Sequence, residues 1–109
     1  MASLEAFETL DMRIGRVQAA EPFPEARNPA WKLAIDFGPE LGVRRSSAQL
    51  THYPAETLEG TLVVAVVNLP TRRVAGFPSE VLVLGGLDPE RGVVLLRPDG
   101  ACAPGARIG

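Results

Sequence analysis

Two short apolar runs in the second half of the chain constrain the fold more than any other feature. Leu62–Val67 (LVVAVV) and Val81–Leu84 (VLVL) are built from Val, Leu and Ala, and both are followed by turn-forming residues. Runs of this length and β-branched content, bounded by Gly, Pro or Asn, predict strands buried on both faces rather than helices. We therefore expect a sheet whose inner strands lie in this region.

The connection between these two runs, residues 68–80, is long and chemically varied. It carries Asn68, Arg72, Arg73, Phe77 and Ser79. A long loop that core strands hold at both ends is a common place for a binding site. The functional surface is therefore predicted to include this connection.

Three further strand patterns precede the central runs, and one follows them. Met12–Ala20 alternates between apolar and polar residues, and its Gly15 predicts a bulge or sharp bend. In Trp31–Phe37 the residues at 31, 33, 35 and 37 share one face. Val43–Leu50 is an unusually polar strand, and Gly92–Arg97 is the last one.

Short helices and an irregular tail complete the expected order of elements. Ser3–Leu10 and Tyr53–Gly60 have helical spacing or capping residues, and the Pro- and Gly-rich segment Pro98–Gly109 predicts an arm that packs on the barrel or on a partner subunit. Three strands, a short helix and then further strands is the chain order of an OB-fold. The predicted fold class is all-β: a five-stranded Greek-key barrel with short helices and terminal extensions.

Three sequence strings, in consistent order and spacing, resemble the CsaA family. They are LDMRIGRVQAAEPFPEARNPAWKLAIDFG, RRSSAQLT and VVNLPTRRVAGFPSEVLVLG, and the resemblance extends from about Phe7 to Ile108. Members of this family are small secretion-related chaperones within the wider class of tRNA-binding domains that have an OB fold. The resemblance implies the same fold, and it implies that the N-terminal segment helps to form a homodimer.

The resemblance also suggests one set of RNA-binding residues. In tRNA-binding relatives a Ser-Glu-x-Met motif after the long connection contributes to RNA binding. In this chain the motif is Ser79-Glu80-Val81-Leu82, so the serine is kept and a leucine replaces the methionine.

Composition limits the domain count and the compartment. A chain of 109 residues with 46 % hydrophobic content is enough for one domain, 1–109, and not for two. The single Cys102 excludes an internal disulfide and fits a reducing cytoplasm. The N-terminal sequence lacks the pattern of a secretory signal, and no apolar run has the length needed to cross a membrane. We expect a cytoplasmic protein without membrane insertion.

The sequence offers no catalytic or metal-binding constellation. Its only histidine is His52, and strand geometry points the nearby Ser46 and Ser47 to opposite faces, so a nucleophile with an adjacent base is not expected. One histidine and one cysteine do not make a metal site. We predict a protein that is not an enzyme and has no cofactor.

RNA binding is one of two binding hypotheses. OB-folds bind nucleic acid through a strand face and adjacent loops, with basic groups for phosphates and aromatic rings for stacking. The net charge of −2 argues against non-specific nucleic-acid binding but allows a local basic face. The scarcity of aromatic residues favours recognition of a folded RNA such as tRNA by its shape. The predicted RNA-binding residues are Lys32, Arg44, Arg45, Arg73, Ser79 and Leu82.

Polypeptide binding is the leading hypothesis. A chaperone needs an exposed apolar pocket with polar groups at its rim, and loop residues could supply both. The predicted peptide-binding residues are Phe23, Asn68, Arg72 and Phe77. Each has a structural alternative: Phe23 could tuck against the core, Asn68 could cap a turn, Arg72 could be a solvated cation, and Phe77 could anchor the long connection.

The combined prediction is a cytoplasmic, non-enzymatic OB-fold homodimer. Its ends, about 1–10 and 98–109, are expected in the dimer interface. It would act as a chaperone for unfolded or precursor polypeptides, with export machinery as a further partner, or alternatively as a tRNA-binding protein that uses the same barrel face.

Overall fold

Strand β1 (Met12–Pro22) is the longest element and lies at the centre of a five-stranded antiparallel sheet in the computed structural model, which describes all of residues 1–109. The sheet order is β3 (Val43–Ala48), β2 (Trp31–Asp36), β1, β4 (Leu62–Val66) and β7 (Leu82–Val83). The sheet coils until its two edge strands approach each other, so that it forms a nearly closed barrel. The predicted OB-fold class is confirmed.

The remaining elements are three short helices and two hairpins. No helix is long and apolar enough to cross a membrane, because the longest has five residues. The helices are α1 (Leu4–Glu8), α2 (Gly38–Leu41) and α3 (Ala55–Leu58), and the hairpins pair β5 (Arg72–Val74) with β6 (Phe77–Ser79) and β8 (Gly85–Asp88) with β9 (Gly92–Leu95).

Strand β2 supplies much of the core, as its alternating pattern predicts. Leu33, Ile35 and Phe37 are at most 1 % exposed and pack against buried residues of β1, β4 and α3. Trp31 lies at the edge of this face, where its indole N–H donates to the carbonyls of Leu50 and Tyr53, both at 3.1 Å. The face predicted from the sequence is therefore the inner face of the barrel.

The strand predictions for the two apolar runs have different outcomes. Residues 63–66 of β4 are buried on both faces, as predicted. The second prediction is wrong in extent: β7 has two residues, and Leu82 is 44 % exposed. The pairing with β4 ends at Leu84, whose N–H donates to Val64 C=O at 2.9 Å, because Gly85 begins a new hairpin with β9.

The long connection, 68–80, is a hairpin rather than a loop. Strands β5 and β6 are joined through Ala75 and Gly76, whose φ angles are 46° and 83°. Positive φ at both central residues is the two-residue turn that matches the twist of paired strands. Two short segments that begin with glycine are also ordered elements: residues 85–88 form β8, and residues 38–41 form the single turn of α2.

Gly15 serves close packing and not the predicted bulge. A Cβ at this position would lie 2.6 Å from Ile35 Cγ2 and 2.7 Å from Phe37 Cε1. The register shift of β1 against β2 instead falls between Val17 and Ala19. The sequence therefore identified the correct strand but the wrong reason for its glycine.

The C-terminal arm packs on the barrel, which is one of the two predicted placements. It runs along β1, where Ile14 N–H donates to Ala106 C=O at 2.9 Å and Gly105 N–H donates to Ile14 C=O at 2.7 Å. Ile108 N–H also donates to Met12 C=O at 2.9 Å. The arm thereby covers the edge of β1 that β2 leaves free.

One ion pair helps to close the barrel between β3 and the segment that precedes β7. Glu80 N–H donates to Arg45 C=O at 2.8 Å, and one carboxylate oxygen of Glu80 accepts from both the backbone N–H and the guanidinium Nε of Arg45, at 2.9 and 3.1 Å. Burial raises the pKa of Glu80, but the two hydrogen bonds and the charge of Arg45 outweigh it, so the pKa is lowered.

The Gly15→Ala substitution is predicted to destabilise the protein by about 1–3 kcal/mol, because the added methyl group would overpack Ile35 and Phe37. The free energy of unfolding in urea checks this. Gly100→Ala is the matched control, since a Cβ there meets nothing within 4 Å. Equal stability of the two variants would contradict the packing role of Gly15.

Glu80→Gln is predicted to lower stability at pH 7 by up to about 1 kcal/mol, the range of partly exposed ion pairs. A carboxylate with a lowered pKa in the folded state stabilises fully above its ordinary value of 4.5 and loses that contribution as the pH falls below it. The stability difference from wild type should therefore vanish in acid. Glu56→Gln, at an exposed glutamate of α3, should show no such pH-dependent difference, and a constant difference for Glu80→Gln would refute the assignment.

Candidate functional site

The sheet is open between its edge strands β3 and β7, and side chains bridge the gap at one end. The Ser46 hydroxyl donates to Val81 C=O at 3.0 Å, and Ser47 N–H donates to the Ser79 hydroxyl at 3.0 Å. Ser79 is 4 % exposed. The Ser79 side chain therefore holds the β5–β6 hairpin against β3, and its contact with RNA stays a prediction.

Beyond these bridges the two edges separate around an apolar groove of about 400 Å³. We call this cavity the seam groove. Leu82 and Leu87 stand exposed at its rim, and Leu50 is buried below. The residues that line it are Ser47, Ala48, Gln49, Leu50, Arg72, Leu82, Val83, Leu84, Gly85, Leu87 and Val93.

Arg72 occupies a position shared by three cavities. It lines the seam groove, a neighbouring cavity of about 470 Å³ that also reaches Leu69 and Leu82, and a polar cavity of about 210 Å³ that also reaches Arg27 and Gln49. Its side chain is exposed and takes part in none of the three salt bridges of the chain. An unpaired guanidinium beside an apolar groove can pair with a carboxylate or a phosphate.

Lys32 joins two predicted site aromatics into one cluster. The rings of Phe23 and Phe77 meet edge to face with centroids 5.5 Å apart, and Lys32 Nζ lies 4.9 and 5.5 Å from their centroids. Phe23 is 5 % exposed and is therefore tucked into the protein rather than displayed, whereas Phe77 is half-buried. The cluster anchors the hairpin turn to the loop after β1 and leaves part of the Phe77 ring at the surface.

Asn68 ties the N-terminal segment to the end of β4. Its Oδ1 accepts from Asp11 N–H at 2.8 Å, and its Nδ2 donates to Thr9 C=O at 2.9 Å. Both polar groups of the amide are occupied by backbone. Asn68 is therefore a structural connection, close to the capping alternative, and its contact with a peptide stays a prediction.

The other predicted basic residues differ in whether their charged groups already have a partner within the chain. Arg45 is committed to Glu80, and the Arg44 guanidinium donates to Leu41 C=O at 3.1 Å. Arg73 is exposed on the hairpin and donates only to Gly76 C=O at 3.0 Å, within its own turn. The cations available at the hairpin are therefore Arg72, Arg73 and, over the aromatic rings, Lys32.

Helix α1 leaves an apolar surface uncovered. None of its residues is buried, and Leu4, Phe7 and Leu10 are 72 %, 39 % and 40 % exposed. A cavity of about 540 Å³ lies between this helix and the C-terminal residues 107–109. The two chain ends predicted to share an interface are thus brought together on one face.

Of the eleven residues that line the seam groove, the sequence predicts only Arg72 and Leu82 as site residues; the nine others, Gln49, Val83, Leu87 and Val93 among them, are missed, as is Arg27 of a neighbouring cavity. Leu87 and Val93 come from β8 and β9, and Arg27 comes from the loop after β1. The sequence predicts a turn after Leu84, and the three-residue connection Pro89-Glu90-Arg91 before the strand at 92–95 was the available signal for a hairpin. The proximity of Arg27 to Arg72 had no signal in the sequence, because it depends on how two loops fold together.

Comparison with known proteins agrees with this geometry. The sequence profile of the family described as "Putative tRNA binding domain" matches residues 12–107. A CsaA chaperone structure from Bacillus anthracis str. Ames is 55 % identical, with a TM-score of 0.93 and coverage of 100 % of this chain and 99 % of that one. A CsaA chaperone protein from Picrophilus torridus is 43 % identical, with a TM-score of 0.95 and full coverage of both chains.

The curated relatives are much longer proteins. The methionine–tRNA ligase of Archaeoglobus fulgidus is 37 % identical over 106 residues, which are 97 % of this chain and 16 % of the ligase. The similarity therefore covers one domain of that enzyme. The chain belongs to the family of putative tRNA-binding domains and, within it, is CsaA-like.

Proposed function

We propose that the chain is a non-enzymatic chaperone that binds unfolded polypeptide segments in the seam groove. The observation that carries the proposal is the exposed apolar groove between β3 and β7, with the unpaired Arg72 at its wall. Exposed, contiguous apolar surface with polar groups at its rim marks interaction sites in proteins. The similarity to two CsaA chaperones supports the same function.

The client class and the setting are parts of the same proposal. The resemblance to CsaA suggests precursor polypeptides bound for export, held in the cytoplasm before they reach the export machinery.

Leu82→Ser is predicted to weaken binding of an unfolded protein about tenfold, since contact with a leucine side chain contributes about 1.5–3 kcal/mol when it becomes fully buried. The probe is a reduced and alkylated protein that cannot refold, and its affinity is measured by fluorescence anisotropy. Val43→Ser is the matched control, because Val43 is similarly exposed on β3 but does not line the groove. Equal loss in both variants, or no binding by wild type, would overturn the chaperone proposal.

Binding of tRNA is the second candidate, and the family match favours it. The free cations at the hairpin, Arg72 and Arg73, could contact phosphates, with Lys32 beside the Phe77 ring. The chain has a net charge of −2, and Arg13 and Arg45 are paired with carboxylates, so a general electrostatic attraction to RNA is weak.

If tRNA binds at the hairpin, Arg73→Gln should lower the slope of log affinity against log salt by about one, as expected for one lost phosphate contact. A filter-binding titration over a salt series measures this. Arg91→Gln removes an exposed arginine between β8 and β9 and serves as the control. A slope unchanged by Arg73→Gln, or lowered equally by both substitutions, would exclude the hairpin as the RNA surface.

Homodimerisation through α1 and the C-terminal residues is part of the proposal. A five-residue helix does not persist in water unless it packs against something, and no part of this chain buries α1. A second copy that covers Leu4, Phe7 and Leu10 supplies the missing contact, and the adjoining cavity by residues 107–109 gives it room.

Sedimentation is predicted to show a dimer at micromolar concentration. The double substitution Leu4→Ser and Phe7→Ser should shift it to monomer because it removes the exposed apolar face. Leu87→Ser, at a leucine of β8 that is 83 % exposed, should leave the dimer intact. A wild-type monomer at that concentration would refute this part of the proposal.

A further inference from the structure

The β7 wall of the seam groove presents backbone groups that the sheet does not use. In an antiparallel ladder, successive residues point their N–H and C=O groups to opposite sides. Leu84 N–H donates to Val64 C=O at 2.9 Å, so the peptide N–H of Leu84 points toward β4, and the C=O of Val83 in the same trans peptide points the other way. Val83, the preceding residue, therefore points its N–H and C=O away from β4, on the side where β3 and the groove lie.

The opposite wall presents a second unused edge at Gln49. This residue lies just after β3, and its backbone N–H and C=O take part in no backbone hydrogen bond of the chain. Leu50 N–H donates to Ala48 C=O at 2.9 Å, which places Gln49 at the centre of a three-residue turn. Because Gln49 does not have a positive φ, this turn is an inverse γ-turn, a form that is common at strand ends and whose central residue has a φ of about −75°.

The space between these edges suits an extended chain. Ser47 and Ala48 continue the extended β3 along one wall up to the turn at Gln49, and Leu82 and Val83 of β7 lie on the other wall. Apolar side chains, among them Leu50, Leu87 and Val93, line the same cavity. Arg72 adds an unpaired positive charge beside it.

We propose that an unfolded segment binds the seam groove as an added strand, in extended form, with its main chain hydrogen-bonded to Gln49 and Val83. One apolar side chain of the segment enters the groove, and a neighbouring carboxylate pairs with Arg72. Recognition through the main chain gives affinity without reading the sequence, and side-chain pockets then add preference. The inference rests on the proposed chaperone function and specifies how that function recognises its clients.

Peptides with altered backbones test the main-chain contacts. The parent probe is a nine-residue peptide that alternates Val with Ser or Thr and carries one Glu at its centre. Two further forms are N-methylated, one at the odd-numbered and one at the even-numbered residues. Each form therefore lacks the N–H donors that face one of the two edges. We expect each methylated form to bind at least tenfold more weakly than the parent, and binding of both within twofold of the parent would overturn the inference.

A pair of substitutions tests the same contact from the protein side. Gln49→Pro removes the N–H while the inverse γ-turn already has a φ that proline adopts, and the preceding Ala48 is extended as proline requires. Gln49→Ala removes the side chain and keeps the N–H. We expect Gln49→Pro to bind the parent peptide about tenfold more weakly and Gln49→Ala to bind it within twofold of wild type, with unchanged thermal unfolding for both. Equal affinity of the two variants would contradict the inference.

The outcomes separate the mode of binding from the function. If the unfolded protein binds but the peptides do not bind, or bind regardless of N-methylation, the added-strand inference fails and the chaperone proposal stands. If neither the unfolded protein nor the peptides bind, the chaperone proposal itself fails. Replacing the central Glu by Gln should weaken peptide binding to wild type but not to Arg72→Gln, whereas Arg91→Gln, at an exposed arginine that does not line the groove, should behave as wild type.

Discussion

The closure of the barrel between β3 and β7 depends on side chains rather than on a complete ladder of backbone hydrogen bonds. The carboxylate of Glu80 and the hydroxyls of Ser46 and Ser79 bridge the first part of the seam, and only one backbone hydrogen bond, from Glu80 to Arg45, accompanies them. Short polar side chains can bridge the two strands where they lie close together, but they cannot continue the pairing farther along the strands. The edges therefore diverge beyond the bridges, and the seam groove is the consequence of this partial closure.

Much of the fold can be predicted from the periodicity of apolar residues. The predictions that are wrong concern segments whose structure depends on tertiary contacts. The alternation of β2 and the buried run of β4 predicted the inner face and the central strands correctly, because burial of β-branched residues dominates there. The hairpin in residues 72–79 was missed because its turn, Ala75-Gly76, lacks the usual Asn or Asp. The shortness of β7 was missed because Gly85 redirects the chain into a separate hairpin, a choice that local propensity does not determine.

The candidate site was less predictable than the fold, since a residue's type does not reveal whether its polar groups are already occupied. Asn68 and Ser79 have the chemistry of ligand contacts, yet the backbone uses the amide of one and the hydroxyl of the other. Phe23 and Phe77 were expected in loops and do meet, but the contact is largely an anchor for the hairpin. Arg72 is predicted from its loop position alone, and the structure shows in addition that it lines three cavities and is paired with no carboxylate.

The central claim is that the groove lies between two strand edges whose backbone groups are unpaired. Amide hydrogen exchange measured residue by residue tests this claim most directly. In the free protein the amides of Gln49 and Val83 should exchange rapidly compared with their neighbours in β2 and β4, because no backbone partner protects them. Addition of a saturating unfolded polypeptide should slow both at least tenfold. Slow exchange at both positions in the free protein, or protection on binding that appears elsewhere and leaves both unchanged, would contradict the account.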